Sequence, residues 1–271
     1  MKIRRSDRLV DMTYYLLNHP YTLISLTYFA KKYSSAKSSI SEDLTIIRRA
    51  FEENGYGIVE TLPGAAGGVK YVPFITDEEA RLFATEICEK MDSNERVLPG
   101  GYVYLSDLLG NPQVLNQIGR IIASQYRGEK VTAVMTVATK GVPIAQAVAS
   151  YLNVPFVIVR RDSKITEGST VSINYVSGSS DRVEKMELSK RSLPSGSRVL
   201  IVDDFMKGGG TVSGMRSIIE EFDSEIVGVT VFAEAAYTSK ETEDYASLIR
   251  VSEVNIRNRT MTVSLGSYFD I

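Results

Sequence analysis

Arg198-Val-Leu-Ile-Val-Asp-Asp-Phe-Met-Lys-Gly-Gly-Gly-Thr-Val-Ser-Gly214 decides how the rest of the chain is read. The apolar run Val199–Val202 ends in two carboxylates, Asp203 and Asp204. Phe205, Met206 and Lys207 follow, then Gly208, Gly209 and Gly210, then Thr211 at the start of an amphipathic stretch. A short apolar run of this kind is the pattern of a buried parallel strand, and open α/β sheets place ligands beyond the carboxyl ends of such strands. Glycines let the backbone turn tightly and come close to a phosphate, whose charge suits the N-terminus of the helix that follows. Adjacent carboxylates suit a ribose diol or magnesium-linked phosphate oxygens. The stretch reads as a sugar-phosphate pocket, used either for chemistry or for sensing.

Outward from it the chain alternates strand and helix. Val131–Val137 is expected as a strand, Val142–Leu152 as a helix and Pro155–Val159 as a strand. Beyond Val199–Val202 come a helix over Thr211–Phe222 and a strand over Ile226–Phe232. That succession predicts a parallel sheet with helices on both faces, a doubly wound α/β fold. The 131–137 strand runs into Ala138-Thr139-Lys140-Gly141, a second glycine turn carrying a lysine on the same sheet edge as Asp203 and Asp204. Two such loops above neighbouring strands suit two phosphate groups of one ligand. Residues 160–192 interrupt the alternation with Arg160, Arg161 and Lys164 and a polar run. An insertion above the strand ends reads equally as a mobile lid or as a static antiparallel hairpin.

Upstream, Pro73-Phe74-Ile75-Thr76 breaks the pattern, and Thr76-Asp-Glu-Glu79 caps a new helix running to about Met91. The expected domains are therefore 1–73 and 74–271. A connector, Asn94 to Tyr104, leads to a helix from about Pro112 to Tyr126. The first 73 residues hold three helix-sized pieces: 5–18, one capped by Ser25, and Ala36 to Glu53 with Ile40, Leu44, Ile47 and Phe51 as its apolar stripe. Tyr56–Leu62 and Val69–Val72 read as strands around the glycine-rich tip Pro63–Gly68. Three helices and a β-hairpin are the layout of a winged helix-turn-helix. The bland alternative is a small helical dimerisation module.

Charge supports the first of these. Residues 1–73 carry ten Lys/Arg against seven Asp/Glu, net +3, whereas the remainder carries 21 against 26, net −5. A basic end on an acidic body suggests a polyanion partner, with RNA left open beside DNA by charge alone. Lys37, Ser38, Ser39 and Ser41 open the third helix, where a recognition helix meets bases and phosphates. Arg48 and Arg49 follow, Lys2, Arg4, Arg5 and Arg8 cluster at the start of the first helix, and Lys70 sits on the wing. His19, the one histidine, reads as a surface residue at a helix end.

Composition bounds the setting. Hydrophobic content of 44% and charge of 24% over 271 residues match a chain able to bury a core. One cysteine, Cys88, builds neither an internal disulfide framework nor a cysteine-based zinc site, and no metal site is expected. No apolar run approaches the roughly 18 residues that span a membrane, and the basic N-terminus lacks a signal-peptide core. A cytoplasmic protein is expected.

The 199–211 stretch resembles the thirteen-residue phosphoribosyl pyrophosphate motif of type I phosphoribosyltransferases. The resemblance implies that Asp203 and Asp204 contact the ribose hydroxyls and that Gly208, Gly209, Gly210 and Thr211 surround the 5′-phosphate. Ala138-Thr139-Lys140-Gly141 is similar to the family's pyrophosphate loop, and the excursion near 160–182 stands where those enzymes carry a flexible flap. One departure is Gly208, where the family carries a threonine, preceded here by Lys207. A hydroxyl donor is lost and a cation gained. Taken whole, the chain resembles the purine operon repressors of Gram-positive bacteria, a winged helix fused to a phosphoribosyltransferase-like domain without catalysis. The resemblance implies a homodimer on operator DNA, phosphoribosyl pyrophosphate with magnesium as the signal relieving repression of purine synthesis genes, and Tyr102 near the effector. Guanosine tetraphosphate, which also presents a ribose and two diphosphates, is expected to compete for the site. The rival expectation is an active purine phosphoribosyltransferase with an appended regulatory head.

Overall fold

The structure, a computed structural model, describes residues 3–64, 67–92, 94–99, 102–162, 165–177, 182–236, 240 and 242–270. The head begins with α1 (Arg5–Asn18), α2 (Leu26–Tyr33) and α3 (Lys37–Glu53), followed by the antiparallel pair β1 (Ile58–Leu62) and β2 (Gly68–Val72). The hydroxyl of Ser25 accepts from the Tyr28 backbone N–H at 3.2 Å, which satisfies one of the orphan donors at the start of α2. Met12, Leu16, Phe29, Ile40, Leu44 and Phe51 form a closed core beneath Val59 and Val69. Helical spacing brought each of these to one face, and their burial joins the three helices to the wing.

The body opens with α4 (Asp77–Met91), started by a complete capping box between Thr76 and Glu79. The connector folds back on itself as β3 (Val97–Leu98) and β4 (Tyr102–Val103), then the short α5 (Ser106–Leu109). α6 (Pro112–Gln125), β5 (Ala133–Val137), α7 (Gly141–Leu152) and β6 (Phe156–Val159) follow. A hairpin, β7 (Thr170–Ser177) and β8 (Arg182–Ser189), precedes β9 (Arg198–Met206), α8 (Gly210–Glu221), β10 (Glu225–Ala235), β11 (Ala246–Asn255) and β12 (Thr260–Leu265).

Six strands form one sheet in the order β12-β11-β10-β9-β5-β6, parallel except for the antiparallel edge strand β12. The helices do lie on both faces. Leu200 and Val202 of β9 point to the side packed by α4, α6 and α7, whereas Val199 and Ile201 point to the side packed by α8 and the hairpin. Because both faces are covered, β9 reads as an unbroken apolar run rather than an alternating one.

Two sequence expectations need revision, and one open alternative is decided. β11 and β12 were not anticipated: their outer halves alternate with exposed polar residues, and a register shift between Ser252 and Asn255 interrupts the pattern. β9 continues through Met206, four residues past Val202, because β10 pairs with it as far as Glu234 opposite Met206. Of the two readings of 160–192, the described residues form the antiparallel hairpin, in register from Thr170 opposite Ser189 to Ser177 opposite Arg182. Tyr175 and Met186 are buried against α8 at Gly214, where an added Cβ would lie 2.9 Å from the Met186 sulfur. No helix among the described residues is long and apolar enough to cross a membrane.

Candidate effector pocket and nucleic-acid surface

A cavity of about 450 Å³ opens at the carboxyl ends of β9 and β10. Because β9 extends beyond its apolar run, Asp203 and Asp204 sit inside the strand, close enough for their carboxyls to interact at the edge of one cavity. Asp203 is 5% exposed and accepts the Asp204 backbone N–H on its own Oδ1 at 2.9 Å. Burial first, and the charge of Asp204 second, hold its carboxyl well above the usual carboxylate range. Asp204 is only half-buried and faces the cavity.

The glycines are there for space. Gly209, the cap of α8, has φ +92°, a left-handed conformation that favours glycine, and turns the chain so that the helix begins at Gly210. Gly209 gives the start of α8 no side-chain cap, and Gly210, Thr211 and Val212 of its first turn line the cavity. At the neighbouring loop, a Cβ on Gly141 would lie 2.7 Å from the Asp203 Oδ1 and 2.4 Å from the Thr136 hydroxyl. The two loops therefore meet at Asp203, and α7 starts directly on it.

Of the residues expected here, Tyr102, Thr139, Lys140, Arg161, Asp203, Asp204, Phe205, Met206, Lys207, Gly208, Gly209, Gly210 and Thr211 all line the one cavity. Gly141 supports it from behind, and Ala138 is exposed beside it without lining it. The Lys207 ammonium lies 5.4 Å from the centre of the Tyr102 ring, bringing the β3–β4 hairpin over the glycine loop. Arg161 pairs with Glu184 at 3.1 Å, and Arg160 pairs with Glu167 at 3.0 Å while its backbone bonds Glu187. Arg160 thus ties the hairpin to β6 and is not part of the cavity wall. Lys164 falls outside the described residues. Leu98, Val103, Leu105 and Val231 also line the cavity. Val231 lies in the strand expected over Ile226–Phe232, whereas Leu98 and Val103 lie in the stretch read as a connector, where the signal is the apolar pairs Val97-Leu98 and Tyr102-Val103.

In the head, Lys37, Ser38 and Ser41 are exposed on the first turns of α3, and Ser39 is half-buried. Ala36 precedes them with no side-chain cap, leaving the first backbone N–H groups of α3 without a side-chain partner there. Arg4 and Arg49 are exposed, and Arg48 donates to the Thr61 hydroxyl at 3.2 Å, joining α3 to the wing. Lys70 pairs with Glu60 across the wing at 2.9 Å. Arg5 pairs with Asp43 at 2.9 Å while keeping about half its side chain exposed. Arg8 departs from the expected basic surface. It is 8% exposed, ion-paired to Asp43 and bonded to the Ser35 hydroxyl, so it fastens α1 to α3 from within. Lys2 and the wing tip at 65–66 lie outside the described residues. His19 is half-buried and stacks on Tyr15 with ring centres 4.1 Å apart.

Two family models match the chain: the bacterial purine repressor N-terminal domain over residues 4–73 and the phosphoribosyl transferase domain over residues 105–269. Over its whole length the chain is 59% identical to the probable purine biosynthesis transcriptional regulator PurR of Streptococcus pneumoniae, covering 99% of that protein. The chain belongs to the PurR family of purine biosynthesis regulators. Its relatives differ in the sign of regulation. The Bacillus subtilis protein, 53% identical over 99% of this chain and 94% of its own length, is a transcriptional repressor. The Lactococcus lactis protein, 54% identical over 99% of both chains, is a transcriptional activator. Among solved structures, an adenine phosphoribosyltransferase from Thermoanaerobacter pseudethanolicus aligns with a TM-score of 0.51 at 20% identity, covering 61% of this chain and 98% of that one, a likeness of fold.

Proposed function

We propose that this chain binds operator DNA of purine biosynthesis genes through its head, as a homodimeric repressor, and releases it when phosphoribosyl pyrophosphate occupies the 203–211 pocket. The observation that carries this reading is the convergence of the two phosphate-suited loops on one acid, Asp203, in a chain whose other end presents a capless, serine-rich helix start. The ribose diol would bond Asp203 and Asp204, the 5′-phosphate would take the backbone N–H groups of Gly208–Thr211, and the pyrophosphate would lie toward Thr139 and Lys140. The carboxylates and phosphate oxygens together suit magnesium, which supplies charge neutralisation when bound.

The pocket is read as a sensor rather than an active site. Gly208 offers no hydroxyl, and Lys207 beside it stacks its ammonium near the Tyr102 ring. Guanosine tetraphosphate fits the same donor set and would oppose the inducer. Relatives of both regulatory signs align with the chain over 99% of its length, and repression is the sign taken from the sequence resemblance. A gel-shift titration on purine promoter DNA should show phosphoribosyl pyrophosphate weakening binding by about 5–150-fold, the usual range of allosteric coupling. Unchanged or tightened binding would overturn the proposal. Incubation with phosphoribosyl pyrophosphate, magnesium and each purine base should yield no nucleotide, and turnover near about 1 s⁻¹ would make the chain an enzyme instead.

A further inference from the structure

Head and body meet around a gap, with Tyr21 of the head packed against the core of the body. Between them lies a cavity of about 610 Å³, walled by Leu17, Phe51 and Tyr71 of the head and by Arg120, Ala147 and Tyr151 of the body. Beside that apolar contact, polar ties around the gap fix the seat of the head. Arg120, on α6, makes the largest of them. Its Nε donates to the Phe74 carbonyl at 2.9 Å, and its Nη2 donates to the same carbonyl at 2.5 Å and to the carbonyl of Gly55. Gly55 stands directly after Asn54, the C-cap of α3, and turns the chain with φ +64°. One guanidinium thus holds the interdomain segment and the trailing end of the helix whose leading end is the DNA-facing candidate. A second tie lies at the end of α7, where the Asn153 amide donates to the Thr22 hydroxyl at 3.2 Å.

Both ties lead back to the effector pocket through one rigid pair of helices. α7 begins at Gly141, pressed on Asp203, and ends at Leu152, with Asn153 as its C-cap. α6 packs on α7 so closely that a Cβ on Gly119, the residue before Arg120, would lie 2.8 Å from the Ala147 backbone. A shift at the 138–141 loop moves α7 as a body, and at this separation α6 must follow, because packed interiors do not compress. We propose that Arg120 is a positioning residue that transmits occupancy of the pocket to the orientation of α3. The inference rests on the effector reading above.

The test compares wild type with R120A, R120K and N153A, measuring DNA affinity with and without phosphoribosyl pyrophosphate, effector affinity in the absence of DNA, and thermal stability. In R120A the effector should bind the free protein within about twofold of wild type, while its effect on DNA affinity falls from the usual 5–150-fold to under about twofold. R120K keeps the charge but not the forked geometry, and N153A keeps Arg120 but loses the second tie, so both should retain an intermediate response. If R120A does not fold, those two variants carry the test, and a full wild-type response in both overturns the inference. It is also overturned if folded R120A responds as wild type does, or if its effector affinity falls in step with the response. Absence of any response in wild type sinks the effector reading and this inference with it. A response in wild type that R120A retains sinks this inference alone.

Discussion

Asp43 in the head and Asp203 in the body are both buried carboxylates, at 0% and 5% exposure, and they are treated in opposite ways. Asp43 receives Arg5 on one oxygen and Arg8 on the other, and the three side chains join α1 to α3. Asp203 forms no ion pair among the described residues; it accepts one backbone N–H and faces a second carboxylate. Glu234, at the corresponding edge of β10, resembles Asp43: Lys240, Tyr245, Ser247 and Arg250 all donate to it. A carboxylate that serves the fold is supplied with its partners by the fold. One that is buried and left short of partners is held ready for something that arrives, at a cost in stability.

The contrast can be broken first at Asp43. D43A leaves Arg8 buried without its counterion, and removing one partner of a buried pair costs about 3–5 kcal/mol. Chemical denaturation should show the head unfolding before the body, with effector binding retained at denaturant concentrations where the head is lost. Unfolding in a single transition at the wild-type midpoint would mean that the pair contributes little.

Asp203 should answer in the other direction. Because its folded-state pKa is raised, ionising it costs stability as pH rises above the ordinary value of 3.8. D203N keeps an acceptor for the Asp204 N–H and removes the charge. It should therefore stabilise the ligand-free protein at neutral pH, by about 0.5–2 kcal/mol as for other relieved functional sites, while weakening effector binding. Calorimetry and a thermal melt on the same preparation check both halves. A destabilised variant would contradict the account of the site.

The smallest effect is a pH dependence at Glu234. Burial pushes its carboxyl up, but the bonds from Lys240, Tyr245, Arg250 and Ser247 outweigh it and leave the group at about 2, below its ordinary 4.5. The sign follows from the depressed value: its contribution is complete above pH 4.5 and fades as pH falls toward 2. Stability measured across that window should drop less steeply in E234Q than in wild type, and parallel curves would remove Glu234 from the acid response.

Much of this is legible in the sequence. α1, α3, α4 and α6 fall within a residue or two of their expected limits, because their apolar residues recur at helical spacing; the Thr76 capping box starts α4 and the fixed φ of Pro112 suits the first position of α6. The pocket loops are legible because an apolar run passing through acids and glycines into a helix marks the carboxyl end of a sheet strand. The hairpin, β11 and β12 were harder, since their residues acquire a buried or exposed side only from the neighbours they pair with. Arg8 shows the same limit in one side chain. Its position near the N-terminus made it part of a basic cluster, and only the packing of α1 on α3 turns it inward to Asp43.

By itself, then, the order of residues determined what is local: the helices, the turns, the apolar run of β9 and the chemistry of Asp203-Asp204 with the glycines behind it. Tertiary structure decided what depends on distance between remote segments. It brought Gly141 against Asp203, laid Lys207 over Tyr102, and set Arg120 on the carbonyl of Gly55. The physical reason is that spacing along the chain sets periodicity and capping, whereas burial, charge pairing and steric contact are set by which surfaces the packed core brings together.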